Sequence, residues 1–536
     1  MRAITFSILA LCGVPDAGPG SSPVALDATP KLHKLIATQF ASQNSQRTYI
    51  QTDKPLYQPG ETIWFRADLR VAKTMMQPRP FGATMQLVSP RGAVVAQKRT
   101  LVQNGVLRND FALDAAIEGG EYTIHLISDN GAQDDKKIIV NTYEAPRLMK
   151  TLELQRKAYG EGDQVTAAVE IKRTTGEPFA ERTITAVVTI DDAETARVSL
   201  KTGKDGKATV KFALPDKIAR GDGLLTVMAE DAGVTESIQK RIPIVLKTMQ
   251  LAAFPEGGDL VAGVPGRVYF MAKTPLGKPA DIEGRVIDDR GTEVATFMSV
   301  HDGMGRFELR PEAGRSYHLE ITKPAGIVTK ADVPVAKADG CVLRAVDQGA
   351  RDTLRIAAIC KKAQRVQIEA TLRENWLAGG AFDVAAGKQA LVELPVERTA
   401  QGAVRLTLFD AKDRPLAERL VYHGMGTSMK VTMTSDRKTY SPRDPVHLHV
   451  HATDPYGHPV KASVAVAVVD DTVLSYADDK AAKILAHTYL EPELGATATD
   501  PIEEPNFYFS DKPEAKAAMD ALLATRGYRK LEWRKL

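Results

Sequence analysis

The stretch Thr52-Asp53-Lys54-Pro55-Leu56-Tyr57-Gln58-Pro59-Gly60-Glu61-Thr62-Ile63 runs from a basic residue to a Tyr, through a Pro/Gly-rich turn carrying an acid, into a strand. The Tyr pins the start of a folded unit, the turn reverses the chain, and the strand enters a sheet. The pattern returns as Arg156-Lys157-Ala158-Tyr159-Gly160-Glu161-Gly162-Asp163-Gln164-Val165, and again as Asp436-Arg437-Lys438-Thr439-Tyr440-Ser441-Pro442-Arg443-Asp444-Pro445-Val446. Tyr57 and Tyr159 are about one sandwich unit apart, and Tyr159 and Tyr440 about three. Two degenerate copies therefore lie between them. One begins near Phe254-Pro255-Glu256-Gly257-Gly258, with its turn at Gly263-Val264-Pro265-Gly266; the other begins near Gly340-Cys341.

Alternation supports the same reading. Ile63, Phe65, Ala67 and Leu69 alternate with Thr62, Trp64, Arg66 and Asp68, as Val165, Ala167, Val169 and Ile171 do with their neighbours. A period of two buries one face of a strand and wets the other. Turns such as Asn104-Gly105, Asp205-Gly206 and Asp302-Gly303 recur between the runs, and 40 Gly with 30 Pro discourage long helices. The prediction is an all-β chain of tandem immunoglobulin-like sandwiches with a short helical segment near the C-terminus. A leader and tether occupy 1–47. The units span 48–147, 148–247, 248–337, 338–426 and 427–536.

Composition narrows function. The 536 residues carry 70 Lys+Arg against 67 Asp+Glu, a formal charge of +3, which gives no concentrated basic face for nucleic acid. With 43% hydrophobic residues the chain can build several cores, yet no apolar run reaches the length of a membrane span. Met1-Arg2 followed by the apolar residues 3–11 has the layout of a secretory signal, which predicts export to the periplasm or cell surface. Cys12 follows Leu9-Ala10-Leu11, an imperfect lipoprotein box, so Cys12 is a candidate for lipid attachment; a frayed leader is the alternative. Cys341 and Cys360 remain. They are a candidate disulfide, or two buried thiols on neighbouring strands.

The Thr52–Gly60 string, with Phe254–Gly258 and His301-Asp302-Gly303-Met304-Gly305-Arg306-Phe307, resembles the macroglobulin-like domains of the bacterial α2-macroglobulin family, over roughly 48–475. The stretch 464–474, containing Val468-Val469-Asp470-Asp471, resembles the domain that carries the family's protease bait. The resemblance implies endopeptidase inhibition. The family's covalent trap is a thioester in a Cys-Gly-Glu-Gln string, and no such string occurs in these residues. Inhibition by a noncovalent, thioester-independent route is therefore the expectation. The partners are then proteases. In the rival reading they are envelope proteins docked on a scaffold.

Three constellations bear on chemistry. His447, His449 and His451 alternate on one strand face and are weak metal candidates, against the plainer reading of a solvent-facing polar stripe. Asp470-Asp471 and Asp478-Asp479 match no calcium loop. Residues 476–514 read as an exposed, acidic, Pro-containing insertion ending in a helix over 514–525, whose Ala518, Leu522 and Leu523 share a face. Glu491, Thr499, Asp500, Glu503 and Glu504 mark its bait-like part. An ordinary excursion between strands is the alternative. With no nucleophile–base pair and no strong metal set, the chain is expected to be no enzyme and to need no cofactor.

Overall fold

The computed structural model describes residues 22–39, 45–142, 147–275, 277–346, 352–425, 429–441, 443–466, 483–497 and 500–526. Strands dominate, and they group into successive sandwiches.

In the first unit the strands Gln46–Thr52, Thr62–Val71 and Val106–Ala112 face a second sheet containing Phe81–Val88, Val94–Val102, Gly120–Ser128 and Gln133–Val140. The alternation read in the sequence sets the faces. Ile63, Phe65, Ala67 and Leu69 are buried between the sheets, whereas Trp64 is 59% exposed. Each buried Ile, Leu or Phe contributes about 1.5–3 kcal/mol. The second unit repeats the design. The strands Leu148–Leu154, Gln164–Arg173 and Lys207–Ala213 pack against a four-stranded sheet centred on Thr183–Ile190 and Asp222–Asp231. Val165, Ala167, Val169 and Ile171 sit in its core.

The third unit closes differently. The strand Glu293–His301 pairs with Glu283–Asp288 along its first part and with Met304–Leu309 at its end. One strand thus serves both layers, and the whole unit is a single seven-stranded sheet folded over its core. The fourth unit is again two sheets. In one of them Cys341 lies directly opposite Cys360, and the two form a disulfide. Both sulfurs are in the core, since Cys341 is 3% and Cys360 0% exposed. In the chain-entropy account, closing a loop of this size adds about 3 kcal/mol.

Two segments depart from the expected layout. Residues 22–39 do not behave as a tether. Val24 N–H donates to Leu391 O, Asp27 bridges to Ala381, and helix α1 (Pro30–Gln39) lies on the fourth unit. Leu32 and Ile36, one turn apart, close over Phe409, while His33 stacks on Trp376. Cys12 lies outside the described residues. The second departure is the fifth unit. Among its described residues there is a single hairpin, Lys430–Ser435 with Leu448–Thr453. Met433 and Val450, cross-strand partners, are 59% and 41% exposed. Residues 483–526 do not pack on this hairpin. They run back across the preceding units as helix α2 (Ile484–Tyr489), a 3-10 turn (Phe507–Phe509) and helix α3 (Ala515–Thr525). Among the described residues no helix is long and apolar enough to cross a membrane.

Candidate functional site: a C-terminal clasp across four units

The tyrosine motif has one geometry in its three clear copies. The base three residues before the Tyr lies over its ring: Lys54 at 5.1 Å, Arg156 at 4.5 Å and Arg437 at 5.0 Å from the centroid. The acid four residues after the Tyr caps the turn. Gln58 N–H donates to Glu61, Gly160 N–H to Asp163 and Ser441 N–H to Asp444. Base and acid also pair with each other, as Lys54–Glu61, Arg156–Asp163 and Arg437–Asp444. The hydroxyl accepts the N–H of the base itself in all three. In two copies it also donates to an Asp four residues upstream, Asp53 or Asp436, which accepts the N–H of the incoming strand.

Residues 483–526 are held by every one of the first four units. Towards the first unit, Arg47 donates to Thr488 O and pairs with Glu493. Glu493, its side chain 3% exposed, also meets Arg373 of the fourth unit at 2.9 Å and accepts Ala403 N–H. Beside it His487 lies between Glu491, 3.1 Å away, and Asp134 of the first unit, 3.6 Å away. Burial lowers the His487 imidazole, but the two carboxylates more than offset this and hold it at about 9. The second unit reaches the segment through Lys157, whose Nζ lies 3.4 Å from Glu504. The third contributes Lys273 to Asp500 and Lys278 to Glu503.

Helix α3 spans the junction of the third and fourth units. Its buried face of Ala518, Met519, Leu522 and Leu523 meets Tyr269, Met304, Leu420 and Tyr422. Its polar face is equally committed. Asp520 accepts from Tyr269 Oη at 2.6 Å, from Arg306 at 3.2 Å and from the buried Arg419. Arg419 continues to Glu256 at 3.2 Å, and Glu256 also accepts Ala345 N–H. Burial pushes the Tyr269 hydroxyl far up, so that it stays a donor. The third and fourth units also touch directly at Gly257. It has φ +80°, and a Cβ there would meet Leu343 O at 3.1 Å, so a side chain would push the units apart.

Of the residues read as an exposed insertion, Asp500 and Glu504 are exposed and Glu491 and Glu503 half-buried; each of the four pairs with a cation, and Thr499 lies outside the described residues. The acidic pairs Asp470-Asp471 and Asp478-Asp479 also lie outside them. His447, His449 and His451 are exposed and bring no three ligand atoms together. Glu493, His487 and Asp520 were missed. Local sequence holds no signal for Glu493 and Asp520, whose partners stand far away in the chain, and for His487 it holds only Glu491, four residues on. What the arrangement does is mechanical: it ties four sandwiches to one strap.

The fold defines a protein of tandem macroglobulin-type β-sandwiches. Residues 47–140 match the family model described as MG2 domain. An alpha-2-macroglobulin of Ralstonia nicotianae is 22% identical over 322 residues, which is 55% of this chain and 20% of that protein. Among solved structures, trypsin-activated alpha-2-macroglobulin from Escherichia coli is 14% identical, with a TM-score of 0.44 and coverage of 76% of this chain and 33% of that one. A Salmonella alpha-2-macroglobulin reacted with methylamine is 16% identical, with a TM-score of 0.33 and coverage of 76% and 32%. By these likenesses the chain resembles the α2-macroglobulin family, and its residues 47–140 match a macroglobulin domain. It spans about a fifth of the length of the Ralstonia relative.

Proposed function

We propose that this chain is an α2-macroglobulin-like endopeptidase inhibitor that is exported and works without a thioester, by a noncovalent route. The likeness to alpha-2-macroglobulins supports inhibition in general. The clasp supports the particular mechanism. A protease cutting between 476 and 510 either severs the strap from the hairpin or divides the strap that holds four sandwiches together. Around Asp500 the backbone is neither helix nor strand, and the Asp500 side chain is 60% exposed, so a protease cleft has access there. The released units then shift and crowd the protease.

The test is incubation of the purified chain with several unrelated endopeptidases. Inhibition gives limited cuts between 476 and 510, slower hydrolysis of large protein substrates and unchanged hydrolysis of small peptides. Cuts at those positions with no change in protease activity, or resistance throughout, would return the chain to the scaffold reading.

A further inference from the structure

We propose that His301, Asp302 and Glu504 form a divalent-cation site suited to Zn2+, where the second unit, the third unit and the clasp meet, with Lys157 as its resident cation when no metal is bound. One ligand atom from each of the three residues lies within 4.8 Å of the other two. Among the described residues this is the one group of three such ligands at that spacing. Tetrahedral zinc with bonds of about 2.0–2.2 Å sets its ligands roughly 3.4 Å apart, so about 1 Å of side-chain movement closes the site.

The surroundings hold two of the ligands in place. His301 ends one strand of a tight hairpin, and Asp302, at φ +48°, makes its turn. The His301 ring stacks on Phe507 at 3.7 Å between centroids and meets Tyr508 edge-on at 5.5 Å, so the clasp itself orients the imidazole. Nε2 of His301 and Oδ2 of Asp302 are buried and face each other as an ion pair at 3.2 Å, with no well-aligned hydrogen bond to any other group. Asp302 is 5% exposed, and the His301 side chain is 9% exposed. Buried polar atoms without well-aligned hydrogen bonds are uncommon and costly, and they are explained when a ligand completes them.

Charge points the same way. The Asp302 and Glu504 carboxylates face one ammonium, Lys157, which contacts Asp302 Oδ1 and lies 3.4 Å from Glu504. The two carboxylates carry a charge of −2, of which Lys157 offsets one, whereas a dication in its place offsets both. Lys157 has a long flexible stem and a side chain 37% exposed, so it can swing aside. A cavity of about 230 Å³, lined by Lys157, Asp302, Glu503 and Glu504, gives an ion its entry path and leaves its fourth position to water. One imidazole with two carboxylates suits zinc rather than calcium or magnesium, which take oxygen ligands alone.

The experiment is calorimetric titration of the chelator-stripped full chain with ZnCl2. One Zn2+ per chain is expected. Glu504→Gln, at a half-exposed position, should weaken binding at least tenfold, about the scale on which metal sites respond to a lost partner. Lys157→Met removes the competing ammonium and should tighten binding. The combined variant His447→Ala, His449→Ala, His451→Ala should bind as wild type does. Thermal unfolding midpoints verify that each variant is folded. No Zn2+ uptake by the wild-type chain, undiminished uptake by Glu504→Gln, or uptake abolished in the triple-histidine variant would each overturn the proposal.

Discussion

A tyrosine, a base three residues before it and an acid four residues after it open the first, second and fifth units. Tyr57 is fully buried and Tyr159 nearly so, whereas Tyr440 lies on the connection of a hairpin whose described strands are largely exposed. Tyr57→Phe removes a buried hydroxyl that serves both Lys54 N–H and Asp53, and should cost about 1–2 kcal/mol in denaturant unfolding. Tyr440→Phe should cost less, because water reaches that turn. His487 offers a pH test. Its value rises from an ordinary 6.5 to about 9 in the folded chain, so folding favours the protonated form. The stability it adds is fully present below pH 6.5 and is lost as pH climbs through about 9. The unfolding midpoint of the wild-type chain should therefore fall over that window by more than that of His487→Gln. The tyrosine and its turn were legible because all their partners lie within a few residues. The role of His487 was not, because Asp134 belongs to another unit.

At the scale of elements, periodicity was readable and docking was not. The apolar face of helix α3 follows from the spacing of Ala518, Leu522 and Leu523, but nothing near them announces Tyr269 or Leu420 as their partners. Helix α1 carried the same kind of signal in Leu32 and Ile36, overshadowed by the Gly/Pro/Ser-rich composition just before it. The alternation of His447, His449 and His451 correctly gives one strand face. It cannot tell whether the other face, with Met433 and Val450, is covered. Helix α3 provides a direct test of the clasp. Asp520→Ala leaves Arg419, whose side chain is 2% exposed, with Glu256 as its remaining carboxylate, and should destabilise the junction of the third and fourth units by about 1–3 kcal/mol. Asp520→Asn, which keeps an acceptor, should cost less. Differential hydrogen exchange would place the loosened amides in α3 and the strand Pro415–His423.

On the scale of the whole molecule, the string of sandwiches was legible because each unit buries its own alternating strands. What joins the units was not, because charges paired across hundreds of residues leave no local pattern. The strap sets a mechanical prediction. A chain ending before residue 483 should keep its separate sandwich cores, with near-native far-ultraviolet dichroism. It should also show a larger radius of gyration by small-angle scattering, because units one and four then share neither Glu493 nor the strap that carries it.

The bond from Arg47 to Thr488 closes across 441 residues. Chains emerge from the ribosome at roughly 5–20 residues per second, so Arg47 waits on the order of half a minute or more for its partner. Over that interval the first sandwich must stand unaided, its edge charges bare to water. Only once residues 483–526 are made can they draw the four earlier units into register, so these units fold before they are fastened together.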